Sequence, residues 1–407
     1  MMASDSATPP PLWNSPAVCG ASISPEAGWT SARGGPQRGG GASRYARVRY
    51  RLWLVDTAAG LAFLAAYQAS GASAMTVRWV RAWATSEWLR VFGYLAIFGV
   101  CSYVVFFPLQ FYRGFLLEHR FGLSRLTLKG WVMRELKHLA LGAVLGVLLF
   151  EGLYALLRHA PVHWTWWAAA GWVGVSVVLA RIFPTILLPL FYKTAPLQDE
   201  GLVARLLTLC RRVELRALGV FRVELGVETR KANAALAGLG KSRRVLLSDT
   251  LLEHFTGEEI ETVLAHELGH QRYRHITKLL CLTAVGALIA LTLVDRTAAW
   301  WMARIGVVSL ADVAGFPMLL LSLSLIGLVG LPIQSGISRR FERQADRFAV
   351  TTTRLPQAFA SALKKLGELN LADPHPPRWV EWLLYDHPPI AKRIAAAQAL
   401  GVVLKEP

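Results

Sequence analysis

The stretch TGEEIETVLAHELGHQRYRH, residues 256–275, stands where a polar segment of the chain gives way to a long apolar run. Thr256 followed by Glu258 and Glu259 predicts a helix start from about 256, the hydroxyl capping free N–H groups and the carboxylates meeting the positive helix end. From Glu258 to His275 the apolar residues recur at helical spacing. Inside this helix lies His266-Glu267-Leu268-Gly269-His270, an H-E-x-x-H run. Residues four apart project from one helix face, so two imidazoles can reach a single zinc while Glu267 points at its water. The plainer reading makes His266 and His270 surface or core histidines on an amphipathic helix, with Glu267 a solvated charge. Two neighbouring features weigh against it: the helix leads straight into an apolar span, and a second acidic helix offers another ligand.

Outward from the motif, composition sets the class. Of 407 residues 54% are hydrophobic and 17% charged, and the mean hydropathy is +0.37, too apolar for an ordinary soluble globule. The net charge of +17 is distributed between apolar runs and not gathered into one basic domain, which speaks against nucleic acid as a partner and for positive-inside membrane loops. Cys19, Cys101, Cys210 and Cys281 are far apart and form no C-x-x-C pair, so no thiolate metal site is indicated.

A hydrocarbon core about 30 Å thick needs roughly 20 apolar helical residues. Six stretches qualify, near 52–73, 89–112, 138–158, 164–192, 276–294 and 306–333. Asp56, Glu151 and Arg181 fall within them, so those helices meet one another or line a wet cavity there, or else the charges reach a membrane boundary. Arg44, Arg47, Arg49 and Arg51 precede the first span, and Arg113, Arg120, Arg125, Lys129, Arg134 and Lys137 fill the loop after the second, which assigns both to the cytoplasmic side. Six crossings then carry residues 193–275 and the tail 336–407 to that same side. The expected organisation is a Gly- and Pro-rich disordered leader over 1–50 without a cleavable-signal core, membrane helices over 51–192 and 276–335, a folded insertion at 193–275, and the tail. Within the insertion the pattern predicts a helix near 198–217 and strands at 219–226 and 243–248.

A hydrolytic zinc site needs a third protein ligand, and His2Glu is one workable set. Ser338-Arg-Arg-Phe-Glu-Arg-Gln-Ala-Asp346 follows the last span on the motif's side. Glu342 is its natural candidate, and Asp346, one turn on, could orient a ligand imidazole. Equally, Glu342 and Asp346 could pair with Arg339, Arg343 and Arg347 on a charged interfacial helix, and spacing alone favours that.

Taken together, Phe121-Gly-Leu-Ser124, Pro184-Thr185 through Pro189-Leu-Phe-Tyr-Lys193, Lys231-Ala-Asn-Ala234, Gly238, Arg243-Arg-Val245, Asp249-Thr-Leu-Leu252, the H-E-L-G-H run, the 338–346 run, and Tyr385-x-His-Pro-Pro389 with Arg393 resemble the type I CAAX prenyl endopeptidases over roughly residues 45–395. The resemblance implies an all-α polytopic membrane fold of about six helices around an intramembrane chamber, with a small α+β zincin-like catalytic insertion. It further implies one Zn2+ held by His266, His270 and Glu342, with Glu267 as general base. Asn233 and Ala234 resemble an edge strand that aligns substrate backbone, and His387 and Arg393 match positions that steady the oxyanion. The expected partners are the lipid bilayer and a peptide or protein substrate, prenylated or membrane-derived. The Ala- and Arg-rich composition points to a bacterial member, in the inner membrane with its site facing the cytoplasm. Rival readings are a heat-shock-type quality-control metalloprotease and, from another class, a non-catalytic membrane scaffold or zinc carrier. A carrier would hold its ligands inside the spans, and a scaffold has no use for Glu267.

Overall fold

In a computed structural model that describes residues 38–215, 217–238 and 243–404, the chain opens with α1 (Arg38–Ala69), the short α2 (Ala72–Arg81) and α3 (Glu87–Phe111). A π-helical turn at Tyr112–Leu116 carries α3 into α4 (Leu117–Arg120). Then come α5 (Leu128–His159) and α6 (Trp164–Ile182), the latter joined by a second π turn, Phe183–Leu187, to α7 (Leu188–Phe191). The polar segment holds β1 (Thr194–Pro196), α8 (Glu200–Arg212), β2 (Val220–Val223), β3 (Ala234–Ala237), β4 (Arg244–Ser248), α9 (Asp249–His254) and α10 (Gly257–Arg272). Two long helices, α11 (His275–Ile305) and α12 (Phe316–Thr353), are followed by α13 (Pro356–Leu369), α14 (Arg378–Leu384) and α15 (Ile390–Val403).

Six helices are long and apolar enough to cross a membrane: Gly41–Ala69, Glu87–Arg120, Leu128–His159, Trp164–Phe191, His275–Ile305 and Val313–Thr353. Their packing is the reverse of a water-soluble bundle, because Val100, Val104, Leu148, Val329 and Ile333 are exposed. Such a surface is stable only in lipid. The chain is an integral multi-pass membrane protein. Of the charges expected inside the spans, Asp56 pairs with Arg113 at 3.3 Å, Glu151 is buried, and Arg181 is exposed.

Two boundaries differ from the sequence reading. Residues 1–37 of the expected leader lie outside the described residues, but from Arg38 the chain is already helical. Tertiary contacts explain this: the buried Tyr45 donates to Glu118, which also pairs with Lys231 at 2.8 Å, and the Tyr50 and Tyr385 hydroxyls are 2.7 Å apart. The ten-residue α2, about 15 Å long at 1.5 Å per residue, is too short to cross. The boundary expected at 335/336 falls inside α12. That helix has 38 residues, roughly 57 Å, against a hydrocarbon thickness of about 30 Å. No proline follows Pro332 until Pro356, so α12 continues out of the apolar layer and carries Glu342 and Asp346 with it.

The four strands form one sheet in the order β1-β2-β4-β3, with β2 parallel to β4 and β3 antiparallel to β4 in the register Ala234↔Leu247. β3 is therefore an outer strand. One core joins insertion and tail: Leu206 and Leu209 of α8, Val245 and Leu247 of β4, Leu264 and Leu268 of α10, Phe359 and Leu363 of α13, and Ile390 of α15. Each such side chain, fully buried, contributes about 1.5–3 kcal/mol. The insertion and the tail are thus one folded body, which is what lets residues 76 positions apart share a site.

Candidate active site

The site starts from how α10 begins. Thr256 accepts from the Glu259 N–H at 3.3 Å while the Glu259 carboxylate accepts from the Thr256 N–H at 2.7 Å, a capping box at the helix start expected from the sequence. Glu259 is also anchored to α13 through Lys365 at 2.7 Å and Ser361 at 2.6 Å. Further along, Gly269 permits the next step. A Cβ there would lie 3.0 Å from the Ala345 Cα and 3.2 Å from the Phe348 Cβ, so only glycine lets α10 and α12 approach this closely. That approach sets Glu342 against the two histidines.

His270 Nε2 is 3.1 Å from His266 Nε2 and 3.1 Å from Glu342 Oε1, and His266 Nε2 is 3.3 Å from Glu342 Oε2. In a tetrahedron with metal bonds of about 2.0–2.1 Å the donor atoms stand roughly 3.3–3.4 Å apart, so these spacings fit a single cation. Two imidazole lone pairs and a carboxylate aimed at one point repel one another unless positive charge lies between them. The protein makes that demand visible at His266. Burial lowers its pKa, but Glu342 and Asp346 outweigh burial and hold the ring well above its ordinary value. Cys101, Cys210 and Cys281 are free thiols and take no part.

Glu267 follows His266 on the same helix. Its Oε1 is buried with no hydrogen-bond partner among the described residues, and burial raises its pKa against the lowering effect of His266 and His270. A carboxyl so placed takes up a proton more readily than an exposed one.

Asp346 lies 2.9 Å from His266 Nδ1, on the opposite side of the ring from the cluster. Arg393 donates to both Asp346 oxygens, from Nε at 2.8 Å and Nη2 at 2.6 Å, and its Nη2 is 3.6 Å from Glu342 Oε2. The oxyanion role implied for Arg393 meets this arrangement with two nitrogens already committed to Asp346. The guanidinium braces the carboxylate that stands beside the His266 ring. Replacing Arg393 by methionine leaves that buried carboxylate without its cation, and the expected loss is about 3–5 kcal/mol of stability, read as a fall in the unfolding midpoint of the solubilised protein.

His387 is buried, its Nε2 3.3 Å from Glu342 Oε2 and its Nδ1 2.7 Å from Asp386. Burial lowers its pKa, but Glu342 and then Asp386 raise it to about 9, which keeps the ring a proton donor at neutral pH. The loop that carries it is held by Arg339, whose Nη1 donates to the carbonyls of Glu381 at 2.7 Å and Tyr385 at 2.5 Å. So Arg339 serves the His387 loop and does not pair with Glu342 or Asp346. The charged-helix alternative for this run is thereby set aside. Asn233 exchanges hydrogen bonds with Ser248 through its backbone at 2.9 Å, and Ala234 begins β3, which packs on α10. Arg339, His275 and Gln344 are the members of this constellation that sequence reasoning missed. His275 is 1% exposed and its Nδ1 is 3.1 Å from His270 Nδ1.

Two family models account for nearly all of the described chain. One, for the CAAX prenyl protease N-terminal region with five membrane helices, matches residues 41–193, and the other, for peptidase family M48, matches residues 196–400. Among curated proteins the chain is similar to the uncharacterized metalloprotease YhfN of Bacillus subtilis, 24% identical over 88% of this chain and 84% of that one. It is also similar to CAAX prenyl protease 1 of Saccharomyces cerevisiae, 25% identical over 74% of this chain and 71% of that one. Among solved structures the crystal structure of S. mikatae Ste24p superposes with a TM-score of 0.78 at 26% identity, covering 88% of each chain. With the H-E-x-x-H helix and its distant glutamate inside the matched region, the chain belongs to peptidase family M48 and is a membrane metalloendopeptidase of the CAAX prenyl protease type.

Proposed function

We propose that the protein is a zinc-dependent endopeptidase in which His266, His270 and Glu342 hold the ion and Glu267 is the general base. One observation carries this reading: two imidazole nitrogens lie 3.1 Å apart and each is within 3.3 Å of an oxygen of the Glu342 carboxylate, with Glu267 Oε1, on the adjacent residue, unpartnered among the described residues. A zinc ion bound there would supply Lewis-acid polarisation of the scissile carbonyl and a more acidic water. Glu267 takes the proton from the attacking water and hands it to the leaving amine. His387 Nε2 donates to the developing oxyanion. Asp346, braced by Arg393, fixes the His266 ring, so Arg393 acts as a positioning residue. The free side of β3, with Asn233 and Ala234, accepts substrate as an added extended strand. Replacing His387 by alanine is expected to lower kcat/KM by about 10²–10³-fold while metal content stays at the wild-type level, measured by peptide turnover beside metal analysis.

We infer further that the site faces the cytoplasm, in a bacterial inner membrane. The arginines of α1 and of the 113–137 connection support that sidedness, since the same connection touches the insertion through Arg134–Glu228 at 3.1 Å and Arg125–Gly226 at 2.8 Å. A peptide bond of a prenylated or membrane-derived chain is the substrate class that suits an active site beside six membrane helices. Purified enzyme given a farnesylated CAAX peptide and unmodified membrane-derived peptides, each with and without chelator, tests the metal reading and the substrate class. Cleavage that persists in chelator would overturn the metal reading, and cleavage of neither peptide would overturn the substrate class.

A further inference from the structure

A neutral histidine that binds a metal through Nε2 carries its proton on Nδ1, and that N–H needs an acceptor to stay in place. For His266 the group in that place is the Asp346 carboxylate, 2.9 Å from Nδ1. Among the described residues His270 has no carboxylate in that role. Its Nδ1 meets another ring nitrogen, His275 Nδ1, at 3.1 Å. Of two facing ring nitrogens one must donate and the other accept, so something further out sets the direction. His275 Nε2 lies 3.0 Å from Gln344 Oε1, an amide oxygen that only accepts. His275 therefore carries its proton on Nε2 and offers a bare Nδ1 to the His270 N–H. That leaves His270 Nε2 bare toward Glu342 and His266.

The geometry of His275 is built for this direction. The ring is buried at 1% exposure and lies parallel to Phe341, with centroids 4.3 Å apart and planes 9° apart. Phe341 and Gln344 flank Glu342 on α12, while His275 begins α11 just after the turn at Arg274 that ends the motif helix. One turn and a half of α12 thus supplies the carboxylate ligand and the supports of both imidazoles. His266 has a charged brace and His270 a neutral one.

We propose that His275, held by Gln344 and by stacking on Phe341, is a positioning residue of the metal site that accepts a hydrogen bond from His270 Nδ1 and keeps its Nε2 directed at the ion. This rests on the zinc reading above, and the experiment separates the two. The full-length solubilised protein is titrated with zinc in competition with a chromophoric chelator, and the thermal midpoint of each metal-free variant is recorded alongside. His275→Phe keeps the stacking ring and removes both nitrogens, and its zinc affinity is expected to fall by about 10–100-fold with the metal-free midpoint unchanged. His275→Gln, whose amide oxygen still accepts, is expected to retain more affinity than His275→Phe. Gln344→Leu leaves His275 in place but frees its direction, and the expected loss is about 3–10-fold, below that of losing the acceptor itself. Wild-type affinity in His275→Phe would overturn the proposal, as would equal losses in His275→Phe and His275→Gln. Glu342→Ala is the control: if it too binds zinc like wild type, the metal reading itself fails, whereas a loss there beside unchanged His275→Phe removes only the positioning role.

Discussion

Replacing Glu267 by alanine is expected to lower kcat by about 10²–10⁴-fold, the usual contribution of a positioned general base, without lowering zinc content. The reasoning is local. Glu267 is not one of the three donors that lie within 4.8 Å of one another, so the ligand set survives its removal. What goes is the only carboxyl beside the cluster whose buried oxygen has no partner among the described residues apart from the ligand Glu342 itself. Burial also raises the Glu267 pKa, which brings its basicity closer to neutral pH than that of an exposed glutamate. Turnover of a quenched peptide beside metal analysis of the same preparation reads both quantities. Full activity in the variant would reject the base assignment.

The second large effect is the converse. Glu342→Ala is expected to abolish zinc occupancy at micromolar metal and turnover with it. Loss of a residue that merely supports a ligand weakens metal binding by about 10–100-fold, so loss of the anionic ligand itself should exceed that range. Glu342 is also the carboxylate shared by His266, His270, His387 and, at 3.6 Å, Arg393. Without it, several buried groups that carry or tend toward positive charge face one another unopposed. Metal content after dialysis against dilute chelator measures the loss. Retention of one zinc per chain would show that the ligand lies elsewhere.

Much of this was readable in the chain before any coordinates. The H-E-x-x-H spacing, its capped start and the helix between them are local properties of this stretch, and the structure bears them out over Gly257–Arg272, with a left-handed Arg274 breaking the helical run read to His275. The six apolar runs were equally plain, since a bilayer imposes length and composition on each span separately. What sequence could not settle was convergence. Whether Glu342 faces its own arginines or a histidine 76 positions away depends on how closely α10 and α12 pack, which turns on Gly269 against Ala345. The continuity of α12 was hidden because its composition changes from apolar to charged without a change of helix. The start of α1 at Arg38 was hidden for a similar reason: its Gly-rich opening is ordered by Tyr45 and Tyr50 contacting residues far along the chain. β3 has only four residues and little alternation to betray it, and the resemblance to CAAX prenyl endopeptidases, not the pattern, pointed to Asn233 and Ala234. The sequence offered Arg339 as a partner for Glu342 and Asp346, and Arg393 an oxyanion role only through the family resemblance. Their partners, three carbonyls for one and a buried aspartate for the other, exist only in the folded state.

X-ray absorption at the zinc edge of the purified, solubilised protein tests the account at its centre. The expected spectrum is that of a single zinc with two imidazole nitrogens at about 2.0–2.1 Å and a carboxylate oxygen at about 2.0–2.2 Å. A thiolate in the coordination sphere, or only one imidazole, would contradict the convergence of His266, His270 and Glu342 on one ion.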